Sequence, residues 1–267
     1  MKTAIIVSSK DLAGMNIKNH LVKIFHETPE RVRDEAVYSF NHKIKLYTVD
    51  IDTIHTENID SEIEADMFLF ATRHKSEKGT PSLSVHSPGN WKSADYGGNE
   101  KELALCPASY LKKAVGLLKK NNTIGFDVIQ ECTHHGPSLK KPCLFIEIGS
   151  TEKEWVRDDA GKIISRVIIE LLTTPTIECE SAFGIGGLHT TPNFKKIQLN
   201  SDIAVGHVCP KYNLVNLDKE MILQALEKTK PKSGIVIVDW KGLGEHKERI
   251  KTILDEMKIE WKRTQDY

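Results

Sequence analysis

The sequence lacks most of the features that allow a quick assignment. It has five cysteines, an odd number without a close pair, so it encodes neither a disulfide framework nor a thiolate zinc knuckle. No apolar run approaches the ~20 residues that a membrane span requires. The opening Met-Lys-Thr-Ala-Ile-Ile-Val-Ser-Ser carries one charge and a short apolar run, which reads as a first strand and not as a signal peptide. No glycine-rich phosphate loop follows it, because Ser8-Ser-Lys-Asp-Leu-Ala-Gly14 has neither the dinucleotide nor the nucleoside-triphosphate pattern. A Gly-x-Ser-x-Gly elbow and a His-Glu-x-x-His helix are both missing. Charge of one sign is missing too: 37 Lys and Arg balance 37 Asp and Glu, with a pI near 7.2. That balance argues against coating nucleic acid or an anionic membrane by bulk electrostatics, while leaving room for a local basic patch.

What is present reads as a globular α/β chain. With 267 residues, 39% hydrophobic and 28% charged, it can bury a core without staples. Continuous apolar runs predict buried strands at 3–8, 66–71, 125–131, 143–148, 181–185, 202–208 and 234–239, with further strands at 36–40, 44–49 and 258–263. Helical spacing predicts helices at 12–26, 108–120, 218–229 and 243–257. Thr151-Glu-Lys-Glu154 reads as a capping box opening a helix that runs to about 172. Strands alternating with helices predict a three-layer α/β/α arrangement around a mostly parallel mixed sheet. No linker or repeat divides the chain, so residues 1–267 are expected to form a single domain. From Thr72 to about Pro107 periodicity stops, and a loop that long in a compact domain is usually functional.

The chemistry is expected where histidines gather. Of eleven, six lie in loop or strand-end contexts: His74, His86, His134, His135, His189 and His207. Sites in open α/β sheets form at the carboxyl ends of strands, and four predicted strands deliver a histidine there. A lone loop histidine is more often a turn hydrogen-bonder than a catalyst. The adjacent pair His134-His135 is different, because neighbouring residues leaving a strand point to opposite sides and one of them can face a cleft. Glu147 is a charge inside an otherwise buried strand and requires a partner. Histidine with carboxylate suits zinc, although a metal-free histidine base does the same work. Ser82, Ser84 and Ser150 lack a nucleophile motif, and Cys132 and Cys209 adjoin the histidines without a reason for an activated thiol. Lysines pair at 112/113, 119/120, 140/141 and 195/196, with Lys211 separate; solvated surface is their default reading.

Five ordered blocks carry a resemblance. They are Thr72-Arg-His-Lys-Ser-Glu-Lys-Gly-Thr-Pro-Ser-Leu-Ser-Val-His86 followed by Ser-Pro-Gly-Asn90, Thr133-His-His-Gly-Pro137, Phe145-Ile-Glu-Ile-Gly-Ser-Thr-Glu-Lys-Glu-Trp155, Gly186-Gly-Leu-His189, and Gly206-His-Val-Cys-Pro-Lys-Tyr212. In order and spacing they resemble the archaeal and plant type of D-aminoacyl-tRNA deacylase, with the functional centre at 72–212. Thr190 departs from the family pattern, which has tyrosine there.

The resemblance implies a phosphorylase/hydrolase-like α/β fold and hydrolysis of the ester joining a D-amino acid to the tRNA 3′ end. It further implies two Zn2+ per subunit, a monomer without an obligate protein partner or membrane, and a cytoplasmic setting. The expected roles follow. His134 or His135 acts as base or water ligand with Glu147 orienting it. His74, His86, His189 and His207 are metal ligands or oxyanion donors. Arg73 and Lys211 hold terminal phosphates, and Lys112, Lys113, Lys119 and Lys120 grip the acceptor stem. A zinc-dependent peptidase or amidohydrolase and a non-catalytic tRNA-end binder are the competing readings.

Overall fold

The computed structural model describes residues 1–176 and 178–267. The chain begins with β1 (Thr3–Ser8), α1 (Leu12–Leu21), β2 (His26–Val32), β3 (Glu35–Asn41), β4 (Ile44–Val49), α2 (Ile59–Glu62), β5 (Met67–Lys75) and β6 (Ser82–His86). It continues through β7 (Cys106–Pro107), α3 (Ala108–Asn121), β8 (Asp127–Gln130), β9 (Cys143–Ser150), α4 (Glu152–Trp155) and α5 (Asp158–Thr173). The last part holds β10 (Glu180–Ile185), α6 (Pro192–Asn200), β11 (Ile203–Cys209), α7 (Lys219–Lys228), β12 (Thr229–Lys230), β13 (Ile235–Val238), α8 (Lys247–Glu256) and β14 (Glu260–Arg263). Short 3-10 turns at Lys211–Asn216 and Lys241–His246 follow β11 and β13.

The α/β class with mostly parallel pairing holds, but the strands divide between two main sheets. The larger has eight strands in the order β2-β3-β4-β1-β5-β9-β6-β8; the smaller has four, β11-β10-β13-β14; β7 and β12 form a two-stranded link. In the larger sheet β4, β1, β5 and β9 are parallel, whereas β6 and β8 run the other way, β6 pairing antiparallel with β9. All pairs of the smaller sheet are parallel.

Alternation along the strands sorts the cores. Ile5, Val7, Leu69, Ala71, Leu83, Val85, Leu144 and Ile146 face α1, α3 and α5 in one fully buried layer. The other face of the same strands carries Ala4, Ile6, Phe68, Phe70, Cys143 and Phe145, packed on Ile59 of α2 and on Ile63 just after it. The smaller sheet buries Phe183, Ile185, Val236 and Val238 against α7 and α8, and Ala182, Val205 and Ile237 against Phe194 and Ile197 of α6.

Three departures from the sequence reading have physical causes. The loop expected over 72–107 contains β6, whose five residues are all buried. Only Leu83 and Val85 face the apolar core, while Ser82, Ser84 and His86 face the polar side, so no hydrophobic signature marks the strand. β2 was missed because it is a largely exposed edge strand containing Pro29, a residue tolerated only at sheet edges. The capping box at Thr151 is real, with the Thr151 amide donating to Glu154 Oε2 at 2.9 Å, but it opens a single turn. Asn16 Nδ2 donates to the Trp155 and Arg157 carbonyls at 2.9 and 2.7 Å, and α5 restarts at Asp158 with two acids in its first turn, where the helix dipole favours them.

Candidate functional site

The cluster is built on the face of the larger sheet opposite α1, α3 and α5. Side chains two residues apart share a face, so Phe68, Phe70, Thr72 and His74 of β5 line up beside Phe145 and Glu147 of β9 and Ser84 and His86 of β6. Toward Phe68 this face is apolar core, and toward His74 it is polar. Glu147 accepts from Thr72 Oγ1 at 2.9 Å and from Ser84 Oγ at 3.2 Å, both its neighbours in register. The His86 ring stacks on Phe145, 5.1 Å between centroids at 10°.

The segment after β8 completes the cluster by joining the two sheets. The Glu131 amide donates to Val85 in the larger sheet. The Cys132 amide donates to the His189 carbonyl at 2.8 Å and the Thr133 amide to Val208 at 3.0 Å, both at the carboxyl edge of the smaller sheet. Glu131 becomes the hub. Its Oε1 is 3.1 Å from His74 Nδ1, and its Oε2 is 2.8 Å from His189 Nε2 and 3.7 Å from His134 Nε2. β8 lies three strands from β5, ~14 Å across a flat sheet. Contact between Glu131 and His74 therefore requires a curled sheet whose last segment folds back over its own face. The expected convergence at parallel strand ends is thus corrected: the histidines meet over a sheet face, because β6 and β8 run opposite to β5 and β9.

Burial and partners split the imidazoles into two kinds. His134 Nδ1 meets the Cys132 carbonyl at 2.8 Å and His135 Nδ1 the Gly136 carbonyl at 2.6 Å. A carbonyl only accepts, so each Nδ1 carries the proton and each Nε2 keeps its lone pair. Burial, reinforced by His86 and each other's proximity, pushes His134 well below the usual histidine range, and burial with His86 beside it takes His135 down to about 3. His74 and His189 go the other way. Burial opposes their charge, but the Glu131 carboxylate outweighs it for His74, and Cys132 together with Glu131 does so for His189. Glu131 stays anionic for the reciprocal reason: burial favours its neutral form, and its bonds to His189 and His74 prevail. One anion is thus held between two imidazoles whose charged forms it favours, with two neutral imidazoles beside them. Tyr212 Oη closes the group, 3.0 Å from His189 Nδ1 and 3.3 Å from Cys132 Sγ.

The cluster opens onto a cleft of about 890 Å³ lined by His74, His134, His135, Glu147, His189 and Tyr212 on its floor and by Arg73, Trp91, Lys92, Tyr96 and Asn213 around them. Arg73 lies in its wall, 3.2 Å from Asp52 and 3.6 Å from Asp11. Asp11 also caps α1 through the Gly14 amide at 2.9 Å.

Not every expected residue reaches this place. His74, His86, His134, His135, Glu147 and His189 are brought together, but His207 is not. Its Nδ1 is 3.0 Å from Thr133 Oγ1 and its Nε2 is 2.9 Å from the Ala104 carbonyl, so both ring nitrogens are used in binding loops to β11. The lysines of α3 lie on the helix-covered side. Lys112 Nζ donates to the Gln198 and Ser201 carbonyls at 2.5 and 2.6 Å, capping α6; Lys113 Nζ caps α5 at Leu171, 2.7 Å away; and Lys120 pairs with Glu170 at 2.6 Å. Lys119 is exposed on the same helix, while Lys211 is exposed next to Tyr212 at the cleft. Sequence reasoning missed Glu131 and Tyr212. The signal that could have found Glu131 is weaker than the one for Glu147, a charge inside an otherwise buried strand: Glu131 is the last residue of the strand expected at 125–131, just before the His134-His135 pair.

Three sets of donors lie close enough to hold a cation: His74, Glu131 and His189; Cys132, His134 and His189; and His86, His134 and His135. The residues fit such a role on a second ground. Both nitrogens of fully buried His86 have no hydrogen-bond partner among the described residues. Buried polar atoms without partners are costly, and imidazole, carboxylate and thiolate are the donors zinc takes.

Fold and site together define an α/β protein with a buried histidine-carboxylate cluster between two sheets. A family model described as D-aminoacyl-tRNA deacylase matches residues 61–262. The D-aminoacyl-tRNA deacylase of Thermococcus onnurineus is 39% identical, over 96% of this chain and 98% of that one. The enzyme of the same name from Methanocaldococcus jannaschii is 33% identical, over 98% and 100%. A solved conserved protein of unknown function superposes with a TM-score of 0.90 at 28% identity, covering 99% of this chain and 96% of that one. The chain belongs to the D-aminoacyl-tRNA deacylase family.

Proposed function

We propose that this chain hydrolyses the ester between a D-amino acid and the 3′ end of tRNA, releasing both, as a step in translation quality control. The observation that carries the reading is the buried Glu131, held between His74 and His189 on the floor of an open cleft, in a chain of this family. Ester hydrolysis requires three things of a site: a base for water, donors for the developing oxyanion, and a surface that orients the acyl group. His134 and His135 present unprotonated Nε2 atoms and serve as the base that takes a proton from water. His74, its Nδ1 turned to Glu131, donates from Nε2 to the oxyanion, while both nitrogens of His189 are engaged, by Glu131 and by Tyr212. Glu131 holds both rings in place, and Glu147, fixed by Thr72 and Ser84, borders the same pocket. Arg73 meets a phosphate at the cleft wall.

The same side chains would hold zinc in place of those protons, because a metal takes neutral imidazole: His74, Glu131 and His189 in one set, Cys132 and His134 with His189 in another, and His86 with the His134-His135 pair in a third. Two ions per subunit is the stoichiometry we propose. Bound zinc supplies Lewis acidity toward water and toward the ester carbonyl. We read the chain as one α/β unit, because the cluster draws Glu131 from one sheet and His189 from the other. It works as a monomer in the cytoplasm, where aminoacyl-tRNA is used. Among the described residues no helix is long and apolar enough to cross a membrane.

The test is to incubate the protein with matched D- and L-aminoacyl-tRNA, with and without a chelator, and follow ester loss. Loss of the D-ester alone, suppressed by chelation, supports the reading. Equal loss of both esters rejects chiral selection. Binding of tRNA without turnover assigns the chain to a non-catalytic role, and cleavage of peptides without tRNA to a peptidase.

A further inference from the structure

The substrate has a long body beyond its ester, and α3, the helix richest in paired lysines, is turned away from the cleft with its lysines used as helix caps and ion-pair partners. A different surface adjoins the site directly. Three turns leave the carboxyl edge of the smaller sheet side by side: 186–190 after β10, 210–216 after β11 and 240–246 after β13. They are stitched together by backbone bonds. The Lys211 amide donates to Gly187 at 3.0 Å, Gly186 to Cys209 at 2.8 Å and Asp239 to Ile185 at 2.9 Å. A Cβ at Gly244 would lie 2.8 Å from Lys211 Cε, so the lysine stem lies across that turn.

This edge exposes apolar side chains that a folded chain ordinarily hides: Leu188 is 65% exposed, Val215 69% and Tyr212 56%. Tyr212 is tethered only at its hydroxyl, to His189 and Cys132, leaving ring surface exposed at the wall of the cleft. An aromatic ring anchored at its polar tip is a stacking platform for bases. Lys211 and Lys241 are exposed on the same turns, where Glu245 is the one exposed acid. Apolar faces for bases beside cations for phosphates are what unpaired nucleotides need, and what a duplex, whose bases are already stacked, cannot use.

Building on the deacylase reading, we propose that the edge formed by Leu188, Lys211, Tyr212, Val215 and Lys241 docks the unpaired nucleotides that precede the terminal adenosine of tRNA. The surface runs into the cleft through Tyr212, so nucleotides lying on it deliver the 3′ end to the cluster. Recognition here is sequence-tolerant stacking plus phosphate contact, which suits an enzyme that must accept many tRNAs.

The probe is an uncharged RNA minihelix with a four-nucleotide 3′ overhang, compared with the same helix cut blunt. Wild-type protein should bind the overhang form more tightly. The double variant Val215→Ser, Lys241→Glu should bind it about tenfold more weakly, lose the distinction from the blunt form, and show a salt slope shallower by about 0.7 for the lost cation. Lys119→Glu on α3 should bind as the wild type does. Equal binding by the double variant and wild type, or a loss in Lys119→Glu instead, overturns the proposal. Because the probe carries no ester, its failure is separable from failure of the deacylase reading: D-ester hydrolysis with unaltered docking rejects this surface alone, and docking here without hydrolysis rejects the activity alone.

Discussion

His134 and His135 are adjacent and share a role, but their backbones differ. His135 sits at φ +45°, the left-handed region that costs a residue with a Cβ roughly 1–2 kcal/mol. A non-glycine residue persists there only where the side chain matters more than the strain. The usual ranking of small substitutions should therefore invert. His135→Gly should be more stable than His135→Ala by about 1 kcal/mol in chemical denaturation, while both lose deacylation by at least ~100-fold, the scale of a lost general base. A His135→Ala variant at least as stable as His135→Gly would contradict the strain argument. The pair was legible in the sequence as an oddity before Gly-Pro. Which ring nitrogen keeps its lone pair was not, because that depends on the carbonyls of Cys132 and Gly136.

His207 makes a different point. It was expected among the ligands because it lies near a strand end, yet it serves as a buried cross-link between Thr133 and Ala104. Burial first, then the nearby Lys228 charge, depress its pKa to about 4, the Ala104 bond opposing them. An unfolded histidine titrates near 6.5, so this group favours the folded state above that pH, and the contribution is lost as pH falls from about 6.5 to about 4. The loss reaches roughly 3 kcal/mol at the acid end of that window. Denaturation of wild type and His207→Gln at pH 7, 5.5 and 4.5 measures it: the variant should show the shallower fall, and parallel curves would refute the assignment.

Among the elements, α3 separates what a pattern says from what a fold does. Its apolar stripe of Leu111, Ala114, Val115 and Leu118 was readable and is buried as expected. The basic remainder invited a nucleic-acid reading, yet Lys112 and Lys113 end neighbouring helices. Lys112→Met should therefore cost about 1–2 kcal/mol of stability, the worth of hydrogen bonds to a charged group. The KM for aminoacyl-tRNA should stay as in wild type; a raised KM with unchanged stability would return α3 to the substrate-binding surface. β6 teaches the converse lesson. Three of its five side chains face the polar site, so it has too few apolar residues to read as a strand, and that polar face itself hid the element that carries it. The strands β1, β5, β9 and β11 were legible because a buried, mostly apolar run makes up most of each, and their few polar residues leave that run intact.

In the whole molecule, the proposed mechanism depends on two sheets being joined at 131–133. Glu131 is tied to Val85 and Cys132 and Thr133 to the smaller sheet, so separating the sheets would dismantle the hub before either core unfolds. Periodicity gives the class of each element, and pairings distant in sequence decide that the parallel strands form two sheets. The net charge of zero is consistent with a protein that grips one end of a large polyanion: contact with few phosphates keeps binding short-lived and lets product leave.

Everything converges on Glu131, and single-turnover hydrolysis of one D-aminoacyl-tRNA by wild type and Glu131→Gln tests it most directly. Glutamine keeps the shape and removes the charge that favours the protonated forms of His74 and His189. The account predicts a fall of at least ~100-fold in the rate of ester loss with a retained fold. A Glu131→Gln protein that cleaves the D-ester at the wild-type rate would contradict it.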